Sequence, residues 1–178
     1  MLLHLAASSQ IYSYSLPVGS GSGTPYTING EGRITAVRVW ESSYKFPLTT
    51  HLSPSFISFQ FRYGYIWSAV VGYKTGQVQE IELYDGEAII QISGTHAHYI
   101  YSVVFTTTRG RTLSAGSNTG RLFNMYPSHS EAELRIISGN IHGAITSIAA
   151  HWNVLDNIFE ACGETSRNSS QCCQVQTT

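Results

Sequence analysis

Charge is what this chain most lacks. Of its 178 residues, 10 are Lys or Arg and 11 are Asp or Glu, 12% together, for a net charge of −1. An average globular protein carries about 25% charged residues. Without a basic field to concentrate a polyanion, a nucleic-acid partner has no electrostatic support. Long apolar runs are also missing. None approaches the roughly 20 residues a helix needs to cross a bilayer, so no transmembrane segment is expected. Cysteine is scarce and badly placed for a scaffold. Cys162, Cys172 and Cys173 all fall near the C-terminus, which leaves the body of the chain without cross-links and one thiol over for an intermolecular bond. Adjacent Cys172 and Cys173 make a poor metal pair, because neighbouring side chains diverge.

Carboxylates are too few, and too plainly patterned, to suggest catalysis. Glu80 and Glu82 alternate on one strand signal, as do Glu131 and Glu133, and both pairs read as solvated faces rather than a glycosidase dyad. His151-Trp152 closes an apolar run and reads as packing. The chain is therefore expected to be no enzyme, with no cofactor and no metal.

What the chain does have is strand and turn chemistry. Hydrophobic residues make up 42%, with 11 Tyr and 16 Gly. Helical periodicity is nearly absent. Short alternating or solid apolar runs recur instead, separated by Gly, Asn and Ser. Strands are expected near 11–16, 25–28, 33–40, 57–63, 65–71, 78–84, 87–93, 99–107, 111–115, 121–126, 132–138 and 145–152. Prolines 17, 25, 47, 54 and 127 fall at turns or strand starts, where a sheet tolerates them.

An internal repeat organises these strands. Gly64, Ser68, Thr75-Gly76, Glu87-Ala88 and Ile92-Ser93-Gly94 recur as Gly110, Ser114, Thr119-Gly120, Glu131-Ala132 and Ile137-Ser138-Gly139, about 45 residues on. Ile34-Thr35-Ala36-Val37 resembles the start of a third copy. One unit holds about four short strands, and a lone four-stranded sheet cannot cover its own apolar face. Three such sheets around one axis can. A four-bladed propeller is the alternative, but it needs a fourth copy. Residues 42–55 match no repeat position and read as a surface insertion or as retained non-coding sequence. Residues 1–10 read as the remnant of a truncated signal peptide. Residues 154–178 read as a polar, cysteine-bearing, disordered tail, with an N-glycosylation sequon at Asn168.

The strings Gly32-Arg33-Ile34-Thr35-Ala36-Val37-Arg38-Val39, Phe61-Arg62-Tyr63-Gly64-Tyr65-Ile66-Trp67-Ser68 and Glu80-Ile81-Glu82-Leu83 resemble the jacalin-related lectin family. So do Gly86-Glu87-Ala88-Ile89-Ile90-Gln91-Ile92-Ser93-Gly94, Leu134-Arg135-Ile136-Ile137-Ser138-Gly139 and Ile148-Ala149-Ala150-His151-Trp152. The resemblance implies one lectin domain over residues 11–153. Its fold would be all-β, a β-prism I of three four-stranded antiparallel sheets with pseudo-threefold symmetry. It implies glycan or glycoprotein partners, microbial-surface or mucus polysaccharides among them, and a secreted or secretory-granule location. Mannose-type glycans and sulfated glycosaminoglycans are the family's preferences.

The resemblance also places a sugar site on three loops. The first is Gly-rich and here reads Gly19-Ser20-Gly21-Ser22-Gly23-Thr24, with Gly21, Gly23 and Thr24 as candidate contacts. Glycines let a backbone come close to a ligand. The second, Gly94 to Tyr99, carries His96 and His98, which as i and i+2 residues of a strand would share a face. The third reads Gly-x-x-x-Asp in the family, and here His142-Gly143-Ala144-Ile145-Thr146. Thr146 therefore stands where the family's sugar-binding carboxylate would be. A hydrogen bond to a charged group contributes roughly 1.5–3 kcal/mol, and a millimolar complex has only about −4 kcal/mol in total. Simple mannose binding is thus expected to be weak or absent, with backbone groups, the histidine loop and multivalency left to hold a glycan. The basic residues suited to sulfated glycans are replaced too, by Thr24 and Pro25 and by Thr95 and Ala97. His96, His98 and His142 would restore positive charge only in an acidic compartment. The alternative function is an interaction or scaffold module of granules or mucus whose sugar site has been lost.

Overall fold

The computed structural model describes residues 12–43 and 55–154. Residues 1–10, most of the 42–55 segment, the three cysteines and Asn168 lie outside the described residues. Alternation of apolar and polar residues, broken by glycines, produces twelve strands and no helix among the described residues. They are β1 (Tyr12–Gly19), β2 (Thr24–Ile28), β3 (Ile34–Ser43), β4 (Ser55–Tyr63), β5 (Ile66–Trp67), β6 (Gln77–Glu82), β7 (Ile89–His96), β8 (Ile100–Thr107), β9 (Thr112–Gly116), β10 (Arg121–Met125), β11 (Glu133–His142) and β12 (Ala144–Asn153).

The strands form three four-stranded antiparallel sheets. Their orders are β1-β12-β11-β2, β5-β4-β3-β6 and β10-β7-β8-β9, called here sheets A, B and C. Each has a long hairpin at its centre and a short strand on either flank, which is the repeat seen in the sequence. The N-terminal strand closes the prism by pairing with the C-terminal one, Tyr12 opposite Asn153 and Gly19 opposite Ser147. This is a β-prism I, as expected. Two local expectations differ. The strand read over 65–71 is only Ile66–Trp67, and the chain beyond it is held by the Ser68 N–H donating to the Phe61 carbonyl (2.8 Å) and a bridge between Phe59 and Val71. The segment 42–55 contributes strand at its ends, since Ser42 pairs with Phe56 and Ser43 with Ser55.

The inward faces meet on the prism axis. Phe59 and Phe61 of β4 and Phe105 of β8 are fully buried, with Phe61 edge-on to Phe105 at 5.4 Å. Ile148, Ala150 and Trp152 of β12 complete the core from sheet A. Aromatic pairs in this geometry add about 0.5–1.5 kcal/mol beyond their area burial. Trp152, buried as expected, donates its indole N–H to Ser15 Oγ at 2.8 Å, which satisfies the one polar atom it carries inward.

Two carboxylates anchor the prism. Glu87 is buried, and Arg111 donates to it through Nε (2.9 Å) and Nη2 (2.5 Å), with Thr107 Oγ1 (2.6 Å) and the Tyr84 N–H (2.9 Å) adding two more bonds. The Arg111 bonds hold the Glu87 carboxyl down at about 2, against the opposing pull of burial. Glu133 corrects an expectation. It does not share a solvated face with Glu131 but is buried, and Arg33 grips it through Nε (3.1 Å) and Nη2 (2.5 Å). Glu80 and Glu82 do lie on the surface, paired with Arg38 and Arg62.

Candidate carbohydrate site

The turns of the β7–β8 and β11–β12 hairpins lie beside the Gly-rich loop, and two hydrogen bonds gather the candidate loops there. Ser20 Oγ donates to the His98 carbonyl at 2.8 Å, tying the first loop to the second. Thr146 Oγ1 donates to the Ser22 carbonyl at 2.5 Å, tying the first loop to the third. Ser20 and Ser22 carry these ties, and the sequence reading passed over both. Their alternation with glycine was the available signal: each serine is flanked by residues that leave its carbonyl and hydroxyl room to reach a neighbour.

The loop glycines divide into two kinds. At Gly19 (φ +105°) an added Cβ would lie 2.1 Å from the Thr146 carbonyl oxygen, and at Gly23 (φ +94°) 2.2 Å from that of Ile141. The close approach these glycines permit is therefore to the chain's own third loop. Gly21 (φ +70°) and Gly143 (φ +70°) have nothing within 4 Å of such a Cβ. Both are exposed at the rim, although the Gly21 N–H already donates to the Thr146 carbonyl at 3.4 Å.

Among the other candidates, Thr24, His98 and His142 are exposed, whereas Ala144 and Thr146 are buried. Thr146 has no exposed surface, and its hydroxyl hydrogen is committed to Ser22. The histidines of the second loop do not share a strand face. β7 ends at His96, and His98 sits in the turn with its ring edge-on to Tyr99 at 4.7 Å. His96 is half-buried against Phe123, and its buried Nδ1 has no partner among the described residues. Thr95 is not at the rim at all, being buried and bonded to Ser102 and to the Ser117 carbonyl. Among the described residues no group of three or more His, Cys, Asp or Glu side chains is placed to hold a metal ion. The three loops contain no carboxylate and no Lys or Arg, so the rim offers neutral hydroxyls, backbone groups and imidazoles.

On the side toward sheet B the rim is continued by a cavity of about 290 Å³, lined by Ile57, Ala144, Gly143, Gly72 and Tyr73 together with hydroxyls of Ser42, Ser58 and Thr75. Ser58 Oγ already accepts the Tyr73 N–H at 2.8 Å.

Comparison with known proteins agrees with this geometry. Residues 15–151 match the family model described as the jacalin-like lectin domain. Human zymogen granule membrane protein 16 is 36% identical over 160 residues, covering 88% of this chain and 90% of that protein. Among solved structures, a prostate-specific WGA16 glycoprotein lectin superposes with a TM-score of 0.65 at 29% identity, over 80% of this chain and 99% of that one. Calystegia sepium agglutinin gives 0.65 at 15% identity, over 80% and 97%, a likeness of fold. The three-sheet prism, its terminal strand pairing and the matched residues together place this chain in the jacalin-like lectin domain family.

Proposed function

We propose that the protein is a carbohydrate-binding lectin whose glycan site is the three-loop rim, working without an acidic acceptor. The observation that carries this reading is the pair of ties from Ser20 to His98 and from Thr146 to Ser22, which holds the loops together although the family's carboxylate is gone. In this reading Thr146 is a latch and not a sugar contact. It shapes the first loop, while the exposed Gly21 and Gly143, with Thr24, His98 and His142, meet the glycan. Gly23 and Ala144 support these groups from behind, and His96 braces the second loop. A preformed rim spends less ordering entropy on binding, which partly offsets the missing carboxylate.

Neutral, mannose-type glycans suit this rim better than sulfated ones at neutral pH, because its loops carry no Lys or Arg. The similarity to a protein named for zymogen granules supports a place in the secretory pathway.

The test is a glycan array with the natural protein beside Thr146→Asp. Binding of oligo- or polysaccharides by the natural protein, with little response to single mannose, is the expected result. Silence of the natural protein toward every glycan overturns the lectin reading. It would favour the second one, a scaffold module that has lost its sugar site, for which the buried Thr146 is the supporting observation. Sugar density in direct contact with Thr146 Oγ1 would overturn the latch.

A further inference from the structure

Strand β1 leads straight into the Gly-rich loop, and its outward face is unlike that of any ordinary edge strand. Tyr12, Tyr14 and Leu16 alternate along it with relative exposures of 56%, 44% and 76%. Packing does not require them. The inward residues do that work: Ser15 accepts the Trp152 indole, Ser13 accepts the Ser128 N–H at 3.1 Å, and Val18 packs on the core. Long exposed apolar edges invite aggregation, and proteins usually blunt them with charge. Here β1, β2 and β12 carry no Asp, Glu, Lys or Arg, and on β11 the buried Glu133 is paired with Arg135.

The tyrosines are also held still. Tyr12 Oη is hydrogen-bonded to His151 Nδ1, and His151 Nε2 is bonded in turn to Ser138 Oγ at 2.9 Å. The Tyr14 ring lies against the same imidazole, 4.7 Å between centroids. Exposed rings immobilised in this way form a rigid amphipathic wall at low entropic cost on binding. Beside the wall, on the same sheet, stand the partly exposed Ser138, Asn140 and His151. Asn140 reaches the Gly-rich loop itself, donating to the Gly23 carbonyl at 3.4 Å. Register breaks between Ser15 and Val18, which exposes Leu16 and Pro17 together just before that loop.

We propose that this outward face is a glycan track continuous with the rim, so that the ligand is a neutral polysaccharide chain and not a terminal sugar. Tyr12, Tyr14 and Leu16 contact the apolar faces of successive pyranose rings. Ser138 and Asn140 meet the hydroxyls along the other edge, while His151, with both ring nitrogens bonded, holds Tyr12 and Ser138 in place. β1 has eight residues, about 26 Å at roughly 3.3 Å each, enough for several sugar units. A neutral surface of aromatic, hydroxyl and amide groups matches a neutral polyol along its whole length. The proposal rests on the lectin reading and supplies what the rim lacks, since many weak contacts along a chain replace one carboxylate.

The experiment measures binding of the full chain to mannan fragments of increasing length by calorimetry. The natural protein is compared with a Tyr12→Ala, Tyr14→Ala double variant and with Leu16→Ser, a change at a largely solvent-exposed side chain. Affinity that climbs with fragment length in the natural protein, and falls about tenfold for long fragments in the variants with short fragments unaffected, is the expected result. Natural and variant proteins that bind long fragments equally overturn the track and leave the rim standing. Absence of binding to every fragment by the natural protein overturns both. Concentration-dependent dimerisation in light scattering, abolished by Leu16→Ser, would assign the face to a second copy of the chain and overturn the track.

Discussion

Thr146 Oγ1 donates to the Ser22 carbonyl at 2.5 Å, from a position with no exposed surface. An ionised aspartate at this place could only accept hydrogen bonds and would face the Ser22 carbonyl, acceptor to acceptor. A threonine therefore pulls the first loop inward where a carboxylate would have to push it away or turn outward toward a ligand. Thr146→Val keeps the shape and removes the bond. It is expected to lower stability by about 1 kcal/mol, a loss of a few degrees in Tm for a domain of this size. Faster amide exchange confined to residues 20–23 would mark the loss as local. An unchanged exchange rate there would show that the latch does not hold the loop.

The two kinds of glycine in the first loop separate in the same assay. Gly21→Ala meets open space and suffers only the left-handed backbone strain, about 1–2 kcal/mol. Gly19→Ala adds a Cβ 2.1 Å from the Thr146 carbonyl oxygen, so β1 and β12 must part. Thermal melting should rank Gly19→Ala clearly below Gly21→Ala.

The ion pairs differ in the same way. Arg38→Met removes a half-exposed partner of Glu80 and should cost under about 1 kcal/mol. Arg111→Met leaves the Glu87 carboxylate covered and short of two donors. Arg111 is itself partly exposed, so the expected loss is larger than that of Arg38→Met and smaller than that of a fully buried pair. Urea midpoints of the two variants check the order.

Glu87 also predicts an acid limb. Its carboxyl titrates at about 2 in the fold against 4.5 as an ordinary glutamate. The stability linked to this shift is complete above about pH 4.5 and is lost as the pH falls toward 2, where the folded state must also take up the proton. Melting temperature should therefore fall between these values. Glu87→Gln, less stable at neutral pH, should show a shallower slope there.

The architecture was legible because it depends on local pattern. Twelve apolar runs at strand spacing, glycines between them and a repeat of about 45 residues favour three sheets that bury one another over a four-bladed propeller. The ion pairs were less so. Glu131 and Glu133 look alike in sequence, yet only Glu133 turns inward to Arg33, one hundred residues away along the chain. The short β5 was misjudged for a similar reason. Beyond Trp67 the chain is held on β4 by the Ser68–Phe61 hydrogen bond and the Phe59–Val71 bridge instead of extending the strand.

For the proposed site, the family resemblance pointed to three loops and to Thr146 in place of the family's carboxylate, and both are matters of residue type and order. What Thr146 does instead is decided by depth. Residue 146 lies on β12 beneath the first loop, and only the pairing of β1 with β12, from opposite ends of the chain, brings Ser22 over it. Likewise, alternation alone shows that Tyr12 and Tyr14 share a face, but it takes the closed prism to set His151 against both rings. Local spacing specifies which way a side chain points along its own strand. Which group waits there is fixed by contacts between residues more than a hundred positions apart, and these exist only once the sheets have closed around their core.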